Sequence, residues 1–163
     1  MGEESVDARL RRLEDERDVV RTLYRYAHGL DYGPEAAFLD VFTQHGRWMR
    51  VEGRKPARSF EGTHGLAQMF RDHTHAPDYY HKHVVVNPQV EVHGDTATAV
   101  SYLIYVTDHP DGPYIRAFSR CRDRLARCAD GKWRIEERLA ELESSADREF
   151  PPAPWTKLPP VVR

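Results

Sequence analysis

Asp31 and His83 are the side chains best placed by type and spacing to do chemistry together. Asp31 closes a run in which Val20, Leu23, Tyr24 and Ala27 recur at helical steps. At about 100° per residue it falls within about 20° of Val20 around an ideal helix, which turns its carboxylate toward the apolar side. The same position suits a helix-end Asp that bonds turn amides before Gly33. His83 enters the stretch His81 to Val90, where alternation puts His83, Val85 and Asn87 on one face and Val84, Val86 and Val90 on the other. The His83 face either lines a pocket or meets solvent. If the two groups meet, the carboxylate holds one imidazole nitrogen, fixes the tautomer and raises the basicity of the other. Such a base removes a proton next to a carbonyl or leaving group, and positioned general-base catalysis contributes ~10²–10⁴-fold.

Other chemistries find less support. His73, His75, His81 and His83 are close in sequence, but His73-Thr74-His75-Ala76-Pro77 reads as a helix end plus loop. No Cys or HExxH pattern frames these residues, so no metal and no cofactor are expected. There is no Gly-rich phosphate loop and no GxSxG elbow. Cys121 and Cys128 have an odd separation, which on one strand points them to opposite faces, as for two reduced thiols. The 163-residue chain has a formal charge of −2, with acidic and basic residues interleaved, so no nucleic-acid footprint is expected. The apolar runs are too short to span a bilayer. The acidic start, Met1-Gly2-Glu3-Glu4, does not read as a secretory signal, and a cytoplasmic location is expected.

The elements that must position the candidate groups follow from periodicity. Residues 6–30 read as one long helix, with Leu10, Leu13, Val20, Leu23, Tyr24, Ala27 and Leu30 on its apolar stripe. A second helix over about 34–42 starts at Pro34 and ends before the His45-Gly46 break. Trp48, Met49 and Val51 suggest a strand, Ala57 to Phe60 another, and Gly62 to Thr74 a third helix. Residues 82–92, 96–107, 114–128 and 132–143 read as four strands, joined at His93-Gly94-Asp95, at the 108–113 loop and at Asp130-Gly131. Helices followed by a four- to six-stranded antiparallel meander give an α+β domain over residues 1–149. Residues 150–163 form a Pro-rich tail, in which Trp155 and Leu158 are possible anchors.

Three segments together resemble the SnoaL-like group of the nuclear-transport-factor-2-like superfamily, over residues 8–145. Tyr24-Arg25-Tyr26-Ala27-His28-Gly29-Leu30-Asp31, followed by Phe38 to Phe42, is similar to the family's first-helix end. His83 to Val92, then Gly94-Asp95-Thr96-Ala97, is similar to its "H…N…V…GDTA" stretch. Arg122-Asp123-Arg124-Leu125 with Asp130 to Ile135 is similar to its closing hairpin. The resemblance implies a cystatin-like cone, with N-terminal helices packed on a strongly curved antiparallel sheet around a pocket. It implies a lyase or isomerase, dehydratase- or cyclase-like, that acts on a small cyclic or polycyclic metabolite as a homodimer or homotrimer. The small Asp-His dehydratases of the group, such as bile-acid and scytalone dehydratase, and lindane dehydrochlorinase place the dyad where Asp31 and His83 stand.

On that basis His83 is the expected general base, Asp31 its orienting group, and Tyr26 the proton donor. Tyr26 points away from the Val20 stripe on an ideal helix and would need local unwinding, which leaves Tyr24 as a substitute. Tyr24, Trp48, Phe70, Val85, Asn87, Tyr102, Tyr105 and Phe118 are the expected pocket residues. The chain departs from the pattern in two places. A second catalytic His, as in scytalone dehydratase, would fall near Tyr105 to Thr107, and no His occurs before His109. The cyclases' later-strand base has only Asp123 to match it. Two alternatives remain open. Phe42 to Val51, Leu103-Ile104-Tyr105 and the Arg122–Arg138 hairpin also resemble the structural small subunit of ring-hydroxylating dioxygenases. A silent ligand-binding domain is the other, since fold does not fix function.

Overall fold

In the computed structural model the described residues are 5–144 except 54, 109 and 111, with side chains undescribed at 55–57. The 150–163 tail, Trp155, Leu158 and His109 lie outside the described residues. Helix α1 spans Val6–Tyr32. The Ser5 hydroxyl accepts from the Ala8 N–H at its start, and the Gly33 N–H donates to the carbonyls of His28 and Gly29 at its end. Its buried face is Val19, Leu23, Tyr26, Ala27, Leu30 and Asp31. The apolar stripe therefore runs through Val19 rather than Val20, one residue out of phase with the expectation. Leu10 and Leu13 stand exposed. This phase turns Tyr26 inward on a regular helix, with no unwinding.

Helix α2 is short, Glu35–Leu39, and folds back on α1. The contact is close at Gly29, where a Cβ would sit 3.2 Å from the Phe38 Cα. Strand β1, Phe42–Glu52, begins well before the strand expected at Trp48. The His45-Gly46 break is absorbed inside it as an irregularity, where its pairing register shifts between Phe42 and Arg47. Strand β2 is Lys55–Glu61 and helix α3 is Gly62–Arg71. Strands β3 (His81–His93), β4 (Thr96–Thr107), β5 (Tyr114–Arg127) and β6 (Trp133–Leu142) form the expected meander. Gly94 and Gly131 take positive φ in two of its connections.

The six strands form one open sheet in the order β2-β1-β6-β5-β4-β3. All neighbours are antiparallel except β1 and β6, which run parallel. The sheet is thus mixed, which corrects the antiparallel expectation. Turn signals report hairpins within each unit, but not how the separate β1–β2 hairpin docks on the last strand of the meander. Every strand pair carries a register shift, the bulge-like irregularity that bends a sheet.

Helix α1 packs on β3 and β6, and α3 on β1 and β2. Between helices and sheet lies the core, built on Val19, Leu23, Leu30, Val41, Leu66 and Ile135 with the ring cluster Tyr26, Phe38, Phe42 and Phe70. Among the described residues no helix is long and apolar enough to cross a membrane.

Candidate active site

Toward one end of the sheet the core opens into a cavity of about 520 Å³, bounded by α1, α3 and residues of all six strands. The last turn of α1 delivers Asp31 to its edge, and the third residue of β3 delivers His83. Asp31 Oδ2 accepts from the His83 backbone N–H at 2.9 Å, and Oδ1 lies 2.5 Å from His83 Nδ1. One carboxylate thus holds both the strand and the ring. The two side chains are 6% and 8% exposed. His83 forms part of the cavity wall while Asp31 sits behind it, outside that wall. A carboxylate accepts only, so the ring proton belongs on Nδ1 and a lone pair is left on Nε2. Burial works to raise the Asp31 carboxyl, but the hydrogen bonds from His83 outweigh it and hold the group below the usual carboxylate range.

Two more imidazoles adjoin the pair. His81 is buried two residues before His83 on β3, with Nε2 3.2 Å from Asp31 Oδ1. Neither of its ring nitrogens makes a well-formed hydrogen bond among the described residues. His73 lies just past α3 and reaches the cavity, its Nδ1 2.7 Å from the Thr74 carbonyl. Burial pushes His73 down to about 4, so the ring is neutral near pH 7. Burial, then the neighbouring His83, also lowers His81. Tyr105, the cross-strand partner of His83, stacks on it with ring centroids 4.9 Å apart, and burial raises its phenol.

Another part of the wall holds a second polar set. Tyr26 is buried, accepts from Trp48 Nε1 at 3.0 Å, and keeps its own hydroxyl hydrogen to donate. Burial raises its phenol to about 12. The Arg138 guanidinium lies over the Tyr26 ring, 3.9 Å from its centroid. Arg138 on β6 and Asp123 on β5 are cross-strand partners, joined by two hydrogen bonds of 2.7 and 3.0 Å. Arg138 is buried and belongs to the cavity wall, and its Nη1 makes no well-formed hydrogen bond among the described residues. The cavity thus has the His83 imidazole in one part of its wall and the Tyr26 and Arg138 donors in another.

Of the expected site residues, Tyr26, Trp48, His83 and Tyr105 line this cavity and Asp31 stands behind His83. Six others do not. Tyr24 is 44% exposed, because the stripe is displaced by one residue, and lines a shallow outer groove instead. Phe70 is core, packed on Phe38 and on the His75 ring. Val85 packs against the core and lines the outer groove near the end of α1. Asn87 is exposed in the bulge of β3 with φ at +51°, where the strand alternation is lost. Tyr102 and Phe118 are exposed on the outer sheet face, since Leu103 and Tyr105 are the β4 residues that face inward. Asp123 is committed to Arg138, which removes it as a free later-strand base. His73 and Arg138 were not among the expected pocket residues. The pairing of Asp123 with Arg138 depends on the β5–β6 register, which an irregularity between Arg124 and Leu125 shifts without a periodic signal.

A family model described as a SnoaL-like domain matches residues 11–139. No curated protein sequence matches the chain at significance. Among solved structures, a nuclear-transport-factor-2-like protein with a cystatin-like fold from Novosphingobium aromaticivorans superposes with a TM-score of 0.75 and 24% identity, covering 89% of this chain and 95% of its own. ActVI-ORFA from Streptomyces coelicolor superposes at 0.66 with 23% identity, over 78% and 96%. A Catenulispora acidiphila structure in complex with S-DNPA superposes at 0.63 with 21% identity, over 78% and 92%. At these identities the likeness establishes the fold.

Proposed function

This chain belongs to the SnoaL-like domain family, and from that premise we propose that it is a cofactor-independent lyase or isomerase acting on a small cyclic metabolite. The observation that carries the reading is the 2.5 Å contact between Asp31 Oδ1 and His83 Nδ1, with His83 in the wall of a cavity large enough for a small molecule. His83 Nε2 takes a proton from a carbon next to a substrate carbonyl. The Tyr26 hydroxyl and Arg138 Nη1 donate to the oxygen on which charge develops. In an elimination the C–H electron pair becomes the new double bond, and the His83 imidazolium returns its proton to the departing hydroxyl as water. In an isomerisation the same proton goes back to another carbon. Asp31 stays ionised and steadies the imidazolium in between.

The solved neighbour holding S-DNPA supports a small-molecule ligand. A structural dioxygenase subunit would leave the carboxylate–imidazole pair in the cavity without a task. Self-association as a dimer or trimer belongs to the same reading. The outer sheet face exposes Tyr102 and Phe118, and sedimentation of Phe118→Asp against the parent chain tests this.

The activity test is turnover of a panel of activated cyclic β-hydroxy ketones by the parent chain, His83→Ala and Asp31→Asn. The expected result is elimination that falls by about 10²–10⁴-fold in His83→Ala with the fold retained. Turnover that survives His83→Ala within a few-fold overturns the reading.

A further inference from the structure

His73 in the turn after α3 and His81 and His83 on β3 are separate in the chain, yet one ligand nitrogen from each lies within 4.8 Å of the others. General-base chemistry needs one of these rings, with a second at most as a relay. The third is the harder to explain. His81 is buried, and both of its ring nitrogens lack a well-formed hydrogen bond among the described residues. A buried imidazole whose hydrogen bonds are poorly formed is costly, and a ligand on its lone pair offsets that cost. The fourth histidine nearby shows the contrast. His75 has both nitrogens engaged at 2.8 Å, one with the Leu30 carbonyl and the other with the Phe70 carbonyl, and has no nitrogen to offer.

We propose that His73, His81 and His83 form a three-imidazole site for a divalent first-row transition-metal ion. Three features of the arrangement fit a metal. Asp31 holds His83 Nδ1 and also lies 3.2 Å from His81 Nε2, so one carboxylate backs two of the three rings, as outer carboxylates do behind metal-bound imidazoles. The Thr74 carbonyl does the same for His73 through Nδ1, leaving its Nε2 for a ligand. The His81 and His83 side chains are 0% and 8% exposed, so the rings converge away from bulk solvent. A tetrahedral ion with bonds of about 2.0–2.1 Å needs its nitrogens about 3.3 Å apart, so the rings must close in. His73 is the ring free to do so, since it sits in the turn after α3 while the other two are fixed on β3. His73 and His83 line the cavity, which leaves the ion's remaining position open to water or a substrate oxygen.

An ion there takes the His83 Nε2 lone pair, so loading the site and abstracting a proton exclude one another. The inference goes beyond the elimination reading and does not depend on it.

The test is titration of chelator-treated full-length protein with Co²⁺ and Zn²⁺ without substrate, following the visible Co²⁺ band and the heat of binding. A one-to-one site is expected, weakened at least about tenfold in His73→Gln and in His81→Gln, and about 10–100-fold in Asp31→Asn. His93→Gln, on the exposed end of β3, leaves it unchanged. X-ray absorption on the Co²⁺-loaded parent chain counts the nitrogen ligands even where a variant misfolds, and three imidazoles are expected. No one-to-one binding, or fewer than three imidazole ligands, overturns the proposal. So does a site that survives in both folded His variants. Because no substrate is present, failure here is separable from failure of turnover.

Discussion

Two buried carboxylates stand behind the cavity wall, each holding a residue that lines it, and their partners set them apart. Asp31 is bonded to an imidazole and Asp123 to a guanidinium, each with its partner largely out of solvent. The geometries are similar, each carboxylate using both oxygens on one partner residue. The chemistry is not. An imidazole can give and take a proton near neutral pH, whereas a guanidinium stays charged. The Asp31 side is therefore equipped for proton transfer, and the Asp123 side for holding a fixed positive donor against developing negative charge. Burial of a charge pair does not by itself mark a reactive site. The partner's ability to titrate does.

The contrast breaks most visibly through turnover. His83→Ala is expected to lose about 10²–10⁴-fold in kcat, about 3–5 kcal/mol, with little change in thermal unfolding. The opposite pattern is expected at Asp123. Asp123→Ala leaves Arg138 charged and buried without its counter-ion, and denaturant unfolding should show a loss of about 3–5 kcal/mol. If Asp123→Ala abolishes turnover in a protein of unchanged stability, the division of labour is wrong.

A smaller effect tests the donor wall. Tyr26→Phe removes the acceptor of the Trp48 N–H, and about 1–3 kcal/mol of stability should go with it. Turnover should drop while the pH profile keeps its shape, because the base is untouched.

The smallest effect comes from a surface carboxylate. Burial works against Asp40, but Arg134 and Arg25 bond it and bring its carboxyl down to about 2. A folded-state value below the unfolded one means stability that is present above about pH 4 and lost as the pH falls toward 2. With its side chain 35% exposed, the group should contribute under about 1 kcal/mol, seen as a slightly flatter acid limb in Asp40→Asn.

Legibility in the sequence divides along the same lines. The meander was readable because turn residues with positive φ, such as Gly94 and Gly131, punctuate strands of ordinary length. Asp31 and His83 were readable because each ends or opens an element with a strong pattern. What failed was phase. Val19 and Val20 are both apolar, and a stripe drawn through Val20 puts Tyr24 in the pocket and requires Tyr26 to unwind, whereas the buried face runs through Val19. The β3 bulge at Asn87 undid strand alternation in the same way, since a bulge is a local backbone event without a periodic signal. Tyr102 and Phe118 were misplaced because apolar side chains also cover outer sheet faces. Arg138 and the histidine cluster depended on register and on the turn after α3, neither of which is set by residues near them in the chain.

The central claim concerns one proton, and histidine-selective ¹⁵N NMR reads it directly. In the pH range where the His83 ring is neutral, with chelator present, long-range ¹H–¹⁵N correlations should show Nδ1 protonated and Nε2 as an unprotonated acceptor, with the preference lost in Asp31→Asn. A His83 ring protonated on Nε2, or a tautomer indifferent to Asp31→Asn, would contradict the account.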